Sequence, residues 1–350
     1  MRTLMAFTHG TTDPASRFRA LQYIPWLQEQ GWQVFHRPKR PARGQDGGRE
    51  RTLLGLLSSP YGKWMRSRHR MRDIRDARHC DAIFQNRDLL AGKLIWEQRL
   101  VGANPRVIFD FDDAIFLGEK RRRHIEWICR HAAWVTAGNE YLADFARRVT
   151  PNVTVLPTTV DTRSYVPRDY STARTGPIRL GWLGSSHSIR QTLYPHLGML
   201  AGLQREIGFD FTIVSSPRPE LPECGLRWNF VQWTPEQETR VADVMDVGIM
   251  PLVDNEFQRG KCGLKLLQYM AGALPVIASP VGINRSLVEG NGYLASTGAE
   301  WAGAIRALDG DRKLLGRLGM AGRAFCQEGY DLQRWAAILH RLLERVVDKS

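Results

Sequence analysis

The hydrophobic residues of this chain fall into short apolar runs that alternate with longer segments of helical periodicity. In the first half, apolar runs predict strands at residues 4–7, 33–36, 81–85, 106–111, 133–137 and 153–156. Between the runs, as over residues 121–131, apolar positions repeat with the spacing of an amphipathic helix. Because strands that alternate with helices form parallel sheets, the first half predicts an α/β domain with a parallel sheet.

The second half repeats this pattern after residues 161–176, a stretch rich in Pro, Arg, Ser and Thr. Apolar runs at 178–183, 211–214, 227–230, 247–250 and 274–278 predict a second parallel sheet. We therefore expect an α/β protein with two parallel-sheet domains and a cleft between them. The expected boundaries are 1–165 for the first domain, 166–177 for a linker, 178–325 for the second domain, and 326–350 for a C-terminal helix that packs back on the first domain.

The segment 246–282 combines a strand, a charged glycine-rich loop, a helix and a second strand. A helix is predicted to begin near Gly263, because apolar residues follow it with helical spacing. The free N–H groups of such a helix start lie at the edge of the sheet where α/β proteins bind ligands. Arg259, Lys261 and Lys265 add positive charge there, which favours a diphosphate. The alternative is a βαβ unit whose basic loop residues are merely solvated.

Composition narrows the class of protein. A chain of 350 residues with 43% hydrophobic residues can bury the cores of two domains. No apolar run approaches the ~20 residues that span a bilayer, and MRTLMAFTHG is expected to be the first strand rather than a signal peptide. The five cysteines are scattered without CxxC spacing, so we expect no disulfide framework, no zinc site and a cytoplasmic location.

The positive charge is concentrated in one region. The formal net charge is +13, and the stretch from Arg37 to Arg78 holds thirteen Lys and Arg against four Asp and Glu. Such an excess favours nucleic acid, a phospholipid surface or phosphorylated substrates as partners. A helix predicted over Arg66 to Arg78 either meets anionic lipid or a phosphorylated acceptor, or is a solvated face whose arginines are partly neutralised by Asp73 and Asp76.

Several motifs carry a family resemblance. The segments GWLGSSHS, DVGIMPL, RGKCGLKLLQYMAGALPVIASPVG and NGYLA resemble the C-terminal half of retaining GT-B glycosyltransferases, in particular the large family 4 group. SRFRALQYIPWLQEQGWQV and FDFDDAIF resemble the N-terminal domain of one subgroup. The resemblance implies an α/β GT-B fold, with two Rossmann-like parallel-sheet domains facing a central cleft. In this fold the second domain binds a nucleotide sugar and the first presents the acceptor.

The resemblance also implies a donor site. The expected donor-binding residues are Gly184, Ser185, Arg190, Arg259, Lys261, Cys262, Gly263, Lys265 and Gln268, together with Glu289. For Glu289 the alternative is a plain surface turn. Basic residues there offset charge on the leaving nucleoside diphosphate, so no metal and no other cofactor is expected. Many relatives carry two glutamates eight residues apart around this helix, whereas the aligned residues here are Gly260 and Gln268. Gln268 can still hydrogen-bond a ribose or sugar hydroxyl, and a catalytically inert relative is the alternative.

On the acceptor side, the resemblance places Asp112 where many relatives keep a cleft histidine. Asp112 and Asp113 are expected to contact the acceptor or act as a base, and with Lys265 they form the predicted catalytic set; helix capping and metal binding are the alternatives. The other expected acceptor-side residues are His9, Gly10, Arg17 and Arg19. For His9 the alternative is a satisfied polar residue at a strand end.

The sequence therefore predicts a metal-independent retaining glycosyltransferase. Its expected partners are a UDP- or GDP-linked sugar donor and a saccharide or polyprenyl-linked acceptor, with polysaccharide or glycolipid synthesis at the inner face of a membrane as the setting. The rival hypothesis is a catalytically inert GT-B-like protein that binds anionic lipid or nucleic acid through its basic surface. Nucleic acid is the less favoured partner, because the sharpest basic residues converge on glycine-rich helix starts. No GxGxxG follows a predicted strand, which disfavours a dehydrogenase.

Overall fold

The computed structural model describes residues 1–39, 60–90, 92–171 and 175–348. The chain divides into two compact units. Unit 1 joins Met1–Thr158, Gly260–Cys262 and the C-terminal segment from Leu332, and unit 2 joins Thr159–Arg259 and Gly263–Asp331.

Unit 1 is built on a parallel sheet of six strands with helices between them. The strands are β1 (Arg2–Thr8), β2 (Trp32–Pro38), β3 (Ala82–Asn86), β4 (Val107–Phe111), β5 (Trp134–Ala137) and β6 (Val153–Val155). The helices are α1 (Pro14–Arg19), α2 (Ile24–Glu29), α3 (Pro60–Ala77), α4 (Ile95–Ala103), α5 (Glu119–His131) and α6 (Glu140–Arg147), with a 3-10 turn at Leu21–Tyr23. The strand order β2-β1-β3-β4-β5-β6 confirms the predicted parallel sheet.

Unit 2 repeats this architecture with a second six-stranded parallel sheet. Its strands are β7 (Arg179–Leu183), β8 (Asp210–Ser215), β9 (Asn229–Gln232), β10 (Val247–Met250), β11 (Val276–Ala278) and β12 (Gly292–Leu294), in the order β12-β11-β10-β7-β8-β9. Its helices are α7 (Ser186–Thr192), α8 (Leu197–Ile207), α9 (Pro235–Thr239), α10 (Val241–Val244), α11 (Glu256–Arg259), α12 (Leu264–Ala271), α13 (Asn284–Leu287), α14 (Gly298–Gly310) and α15 (Arg312–Gly329), with a 3-10 turn at Tyr194–His196. Strand β12 was not predicted, because three residues carry too little pattern.

The last helix, α16 (Leu332–Asp348), belongs to unit 1. It buries one apolar face, with Ala336, Leu339 and Leu343 in the same cluster as Leu4 of strand β1. The helix therefore covers one face of the first sheet.

The segment predicted as a linker, 166–177, is packed on unit 2 over its described part. Arg168 forms an ion pair with Asp246 at 2.5 Å, and the Tyr170 hydroxyl donates to the Ala273 carbonyl at 2.7 Å. The division between the units therefore lies earlier than predicted, between Thr158 and Thr159.

Parallel strands fix where each unit can hold a ligand. All pairings in both sheets are parallel, so the carboxyl ends of the strands meet at one edge of each sheet. That edge is the ligand-binding edge of open α/β sheets. Within the described residues, no helix is both long and apolar enough to cross a bilayer.

Candidate functional site

At the edge of sheet 1, His9 follows strand β1 as predicted. Its Nε2 lies 2.9 Å from the Asp88 carbonyl oxygen, and its side chain is 27% exposed. Burial, reinforced by Lys39 and Arg87, lowers the pKa of His9, so the imidazole is neutral near pH 7. Gly10 is buried and its N–H donates to the Ser16 hydroxyl.

Arg19 is not an acceptor-side residue, and this prediction is wrong. The side chain is fully buried, its guanidinium is paired with Asp110, and it also donates to the Leu156 carbonyl at 2.6 Å. Asn86 and the Thr136 hydroxyl donate to the same Asp110 carboxylate. A buried charge needs such partners, so Arg19 stabilises unit 1 rather than meeting a substrate.

Asp112 and Asp113 both form ion pairs with Arg87, a residue that the sequence analysis did not identify. Arg87 reaches Asp112 at 2.7 Å and Asp113 at 2.6 Å. Burial alone would raise the pKa of Asp112, but the Arg87 guanidinium, helped by Arg19, lowers it. A carboxylate with a lowered pKa is a weak base, so Asp112 is better suited to hydrogen-bonding an acceptor hydroxyl than to removing its proton.

Arg87 is held in an unusual conformation, with φ of 59°. Few residues other than glycine adopt this left-handed region, and such strain concentrates at functional sites. Sequence reasoning had no signal for it, since nothing in the string QNRDLL marks a positive φ.

The middle of the predicted donor loop, Gly260–Cys262, belongs to unit 1. The Asn139 side-chain amide donates to the carbonyls of Gly260 at 3.1 Å and Lys261 at 3.0 Å, while its oxygen caps helix α6. The Lys261 ammonium lies 3.7 Å from Asp113. The loop is therefore tied to the two aspartates that follow strand β4.

Cys262 fills a gap left by a glycine. Its Sγ donates to the Asp112 carbonyl at 3.2 Å and packs where a Cβ on Gly138 would stand. Burial, and then the nearby Asp112 charge, raise the pKa of this thiol, so it stays neutral. The prediction that Cys262 contacts the donor is wrong for its side chain, which is 7% exposed inside unit 1.

The surroundings of Gly260 leave no room for the glutamate that many relatives carry at the aligned position. A Cβ at this position would lie 2.7 Å from the Ala114 Cβ and 2.8 Å from its backbone nitrogen. Because backbone cannot yield to a side chain, a glutamate would not fit here while the loop is docked.

At the edge of the second sheet, three predicted donor residues come together: Gly184, Ser185 and Lys265. Strand β7 ends in Gly184, and Ser185 caps helix α7 by accepting from the Ser188 N–H at 3.2 Å. A Cβ on Gly184 would lie 2.9 Å from Lys265 Cε and 2.9 Å from the Ser188 hydroxyl. The turn is therefore built for close approach, with the Lys265 side chain directly beside it.

Gly263 begins helix α12 with φ of 69° and gives it no side-chain cap. A Cβ there would clash with Leu287. The Lys265 ammonium lies over the Trp182 ring, 5.1 Å from its centroid. Helix α12 is fixed at its other end by Tyr269, whose hydroxyl accepts from the Leu183 N–H at 2.8 Å.

The remaining predicted donor residues are more scattered. Arg259 is exposed and ion-paired with Asp254 at 2.6 Å, Arg190 is exposed on helix α7, and Glu289 is exposed beyond α13. Gln268 is 3% exposed on α12, so its side chain presents almost no surface to a sugar.

Arg17 lies in helix α1, two residues before the buried Arg19. Arg17 is half-buried, with its guanidinium 5.0 Å from the Phe18 ring centroid.

Among the described residues, no group of three His, Cys, Asp or Glu side chains is arranged to hold a metal ion. The three aspartates of FDFDD are instead bound to Arg19 and Arg87.

Comparison with known proteins covers both units. Residues 181–311 match the family model for Glycosyl transferases group 1. No curated protein matches the sequence. Among solved structures, sucrose-phosphate synthase from Thermosynechococcus elongatus is similar over 100% of both chains, with a TM-score of 0.72 and 16% identity.

Two further solved structures are similar to this chain over nearly its whole length. HepE of Anabaena, solved in complex with UDP-glucose, is similar over 99% of this chain and 100% of its own, with a TM-score of 0.69 and 15% identity. The lipopolysaccharide outer core galactosyltransferase WaaB, in its apo form, gives a TM-score of 0.65 at 11% identity over 98% and 99% of the chains. The predicted GT-B fold is confirmed, and so is the resemblance to GT-B glycosyltransferases.

Proposed function

We propose that this protein transfers a glycosyl unit from a UDP-linked sugar to a saccharide or lipid-linked acceptor, with retention at the anomeric carbon and without a metal ion. The observation that carries the proposal is the cluster of Gly184, Ser185 and Lys265 at the edge of sheet 2. It lies inside the segment that matches the glycosyltransferase family model.

Lys265 is the central residue of the donor site. Its position beside the Gly184 turn and in the first turn of α12 brings an ammonium, backbone N–H groups and a helix start to one place. Such groups bind a diphosphate and offset the charge that develops on it as the glycosidic bond breaks. A fixed lysine then supplies what a metal ion supplies in other transferases.

Retention fits the weak basicity of Asp112. With Arg87 lowering its pKa, the carboxylate is poorly suited to deprotonate an acceptor. In a front-face displacement the departing phosphate oxygen takes that proton, so Asp112 and Asp113 need only orient the hydroxyl. Uridine as the base is suggested by HepE, which was solved with UDP and with UDP-glucose.

A membrane setting is supported by helix α3. One face of this helix exposes Tyr61 by 65%, Trp64 by 50% and Met71 by 36%. Arg68 lies over the Trp64 ring at 4.8 Å and Arg75 is also exposed. Aromatic residues interleaved with arginine favour the interface of an anionic bilayer, where each basic residue contributes about 1 kcal/mol. This face would hold the enzyme at the inner surface of a membrane.

The donor assignment is tested by thermal-shift titration with UDP, GDP and ADP. UDP at about a hundred times its dissociation constant stabilises the protein by about 2.7 kcal/mol. Lys265→Ala abolishes this shift, while the control Lys313→Ala, an exposed lysine on α15, retains it. If no nucleotide shifts the wild-type protein, the proposed function fails.

The membrane assignment is tested by co-sedimentation with phosphatidylcholine vesicles containing phosphatidylglycerol. Tyr61→Ser combined with Trp64→Ser weakens binding, while Tyr141→Ser, which removes an aromatic ring 36% exposed on α6, does not. Equal binding by all three proteins would contradict the assignment.

A further inference from the structure

Two buried ionisable side chains of unit 1 lie outside the sites described above. Glu97 is fully buried in the first turn of helix α4, and His124 is 5% exposed on helix α5. The Glu97 Oε2 atom lies 3.4 Å from the His124 Nε2 atom, and within the described part of the chain neither atom forms a hydrogen bond with any other group. Because a buried ionisable group is costly unless it has a partner, each of these side chains depends on the other.

The other oxygen of Glu97 holds the chain that follows strand β3. The Glu97 Oε1 atom accepts from the Leu89 N–H at 2.8 Å. A hydrogen bond from a backbone N–H to a carboxylate is roughly twice as strong as one between neutral groups. Glu97 is therefore a strong anchor for the segment 87–89.

Helix α5 holds the same segment in two ways. The Arg121 guanidinium donates directly to the Asp88 carboxylate at 3.1 and 3.3 Å. His124 acts indirectly, through Glu97 and the Leu89 N–H. Since Arg121 and His124 are three residues apart, they lie on one face of the helix. Two neighbouring residues of the segment are therefore held against one rigid element.

The segment 87–89 carries contacts of the predicted acceptor side. Arg87 forms ion pairs with the two aspartates that follow strand β4, and the Asp88 carbonyl oxygen lies 2.9 Å from the His9 Nε2 atom. The φ of 59° at Arg87 costs free energy and persists only where the surrounding structure imposes it. The anchors of the segment therefore decide whether Arg87 keeps this conformation.

We propose that Glu97 and His124 are positioning residues for the acceptor side. The pair fixes the segment 87–89, so that Arg87 keeps its left-handed conformation and its contacts with the two aspartates. Glu97 and His124 are too deeply buried to meet a substrate, so their effect passes through Arg87. The positioning of Arg87 stands on these contacts alone, whereas its consequence for the acceptor rests on the proposed glycosyltransferase function.

The first experiment compares Glu97→Leu with Glu97→Gln by NMR. Leucine removes the group that accepts from the Leu89 N–H, whereas glutamine keeps an oxygen there. In Glu97→Leu, amide exchange at Arg87 should accelerate roughly tenfold or more, although its own backbone bond is not mutated. The ring signal of His9, assigned with His9→Gln, should shift because the segment carries its partner. In Glu97→Gln both signals should stay close to those of the wild-type protein.

The partner residue is tested in the same way. His124→Leu leaves the buried Glu97 without its partner and should also accelerate amide exchange at Arg87. His124→Gln can place a nitrogen near the position of the imidazole Nε2, so it should restore slow exchange. If Glu97→Leu fails to fold, His124→Leu measures the same effect, since Glu97 then keeps its oxygen for the Leu89 N–H.

The matched control is Asn104→Leu at the other end of helix α4. Asn104 is 2% exposed, and its side-chain amide donates to the Ala77 carbonyl at 2.9 Å and to the Cys80 carbonyl at 2.8 Å. Its loss should lower the melting temperature of unit 1 and leave the segment 87–89 in place. If Asn104→Leu changes the NMR signals of the segment as much as Glu97→Leu does, or if Glu97→Leu changes neither signal, the proposal is overturned.

Transfer from UDP-glucose to a panel of methyl glycosides gives the kinetic readout. For each glycoside that the wild-type protein uses, Glu97→Leu should lower kcat/KM for the acceptor and Glu97→Gln should not, because only leucine displaces Arg87. Affinity for UDP, which we assign to Lys265 in unit 2, should be equal in all three proteins. An unchanged kcat/KM in Glu97→Leu would show that the pair does not serve the reaction.

Titration with UDP separates this proposal from the proposed function. A protein that shows the NMR effects but never binds UDP keeps the positioning pair and loses the proposed function. A protein that binds UDP but shows no displacement of Arg87 in Glu97→Leu keeps the proposed function and loses the positioning pair.

Discussion

Replacing Gly138 by alanine should undock the loop segment 260–262 from unit 1. A Cβ on Gly138 would lie less than 3.0 Å from Cys262 Sγ, closer than real Cβ atoms approach. The next nearest atom, Asp112 Cα, is 3.3 Å away, so Cys262 causes most of the clash. Gly138 does not have a positive φ, so the effect is one of space and not of backbone strain.

The size of this effect follows from the free energy that an extra methyl group costs in a packed site. Inserting one methyl group into a packed site costs about 1–3 kcal/mol, which corresponds to a change of roughly 5–150-fold in the opening of the segment. Cys262 alkylation by iodoacetamide, followed by peptide mass spectrometry, should accelerate by that factor. Cys129, buried elsewhere in unit 1, is the internal reference and should react at its wild-type rate.

Two variants make this prediction specific. Cys262→Ala removes the clashing sulfur, so adding it to Gly138→Ala should restore thermal stability, and the double-mutant cycle should show a favourable coupling of about 1–2 kcal/mol. Gly102→Ala is the matched control, since a Cβ there meets nothing within 4 Å. A Gly138→Ala protein with wild-type melting temperature and wild-type Cys262 reactivity would refute the packing.

Two further predictions concern unit 1. Arg19→Gln leaves the buried Asp110 carboxylate without its cation and should cost about 3–5 kcal/mol in urea unfolding. The control Arg122→Gln, at an exposed position on helix α5 of the same unit, should change stability by less than about 0.5 kcal/mol, and similar costs for both would contradict the burial of Arg19. Stability should also fall on acidification, because the unfolded His9 gains a proton below its ordinary pKa of 6.5 while burial keeps the folded one neutral. Asp88 acts in the same direction at lower pH, since Arg121 lowers its pKa from 3.8 in the folded state despite the opposing effect of burial. Melting temperatures measured from about pH 7.5 to about pH 2.5 check this, and His9→Gln should flatten only the upper part of the curve.

The two sheets were largely predictable from the sequence. A buried parallel strand is apolar on both faces, so a short run closed by a proline marks it clearly. Strand β10 occupies Val247–Met250, the residues predicted, with Pro251 after it. Helix α12 likewise begins at Leu264, one residue after the glycine that predicted its start.

The placement of the donor loop was only partly predictable. Gly263 and Lys265 were predicted as part of a diphosphate site because glycines and a basic residue at a strand-to-helix turn favour anion binding, whereas Gly184 was expected only through the family resemblance. Asn139, Arg87 and Gly138 gave no such signal, because their roles depend on atoms more than twenty residues away in the chain.

The sequence by itself determined the strand and helix pattern, the edges at which ligands bind and the basic character of both candidate sites, because these follow from local periodicity and residue type. Only the tertiary structure decided how deeply each charge is buried. Arg17 and Arg19 are two residues apart in one short helix, yet Arg19 is fully buried on Asp110 while Arg17 is half-buried. How far a charge is buried depends on the side chains that pack around it, and the fold brings these together.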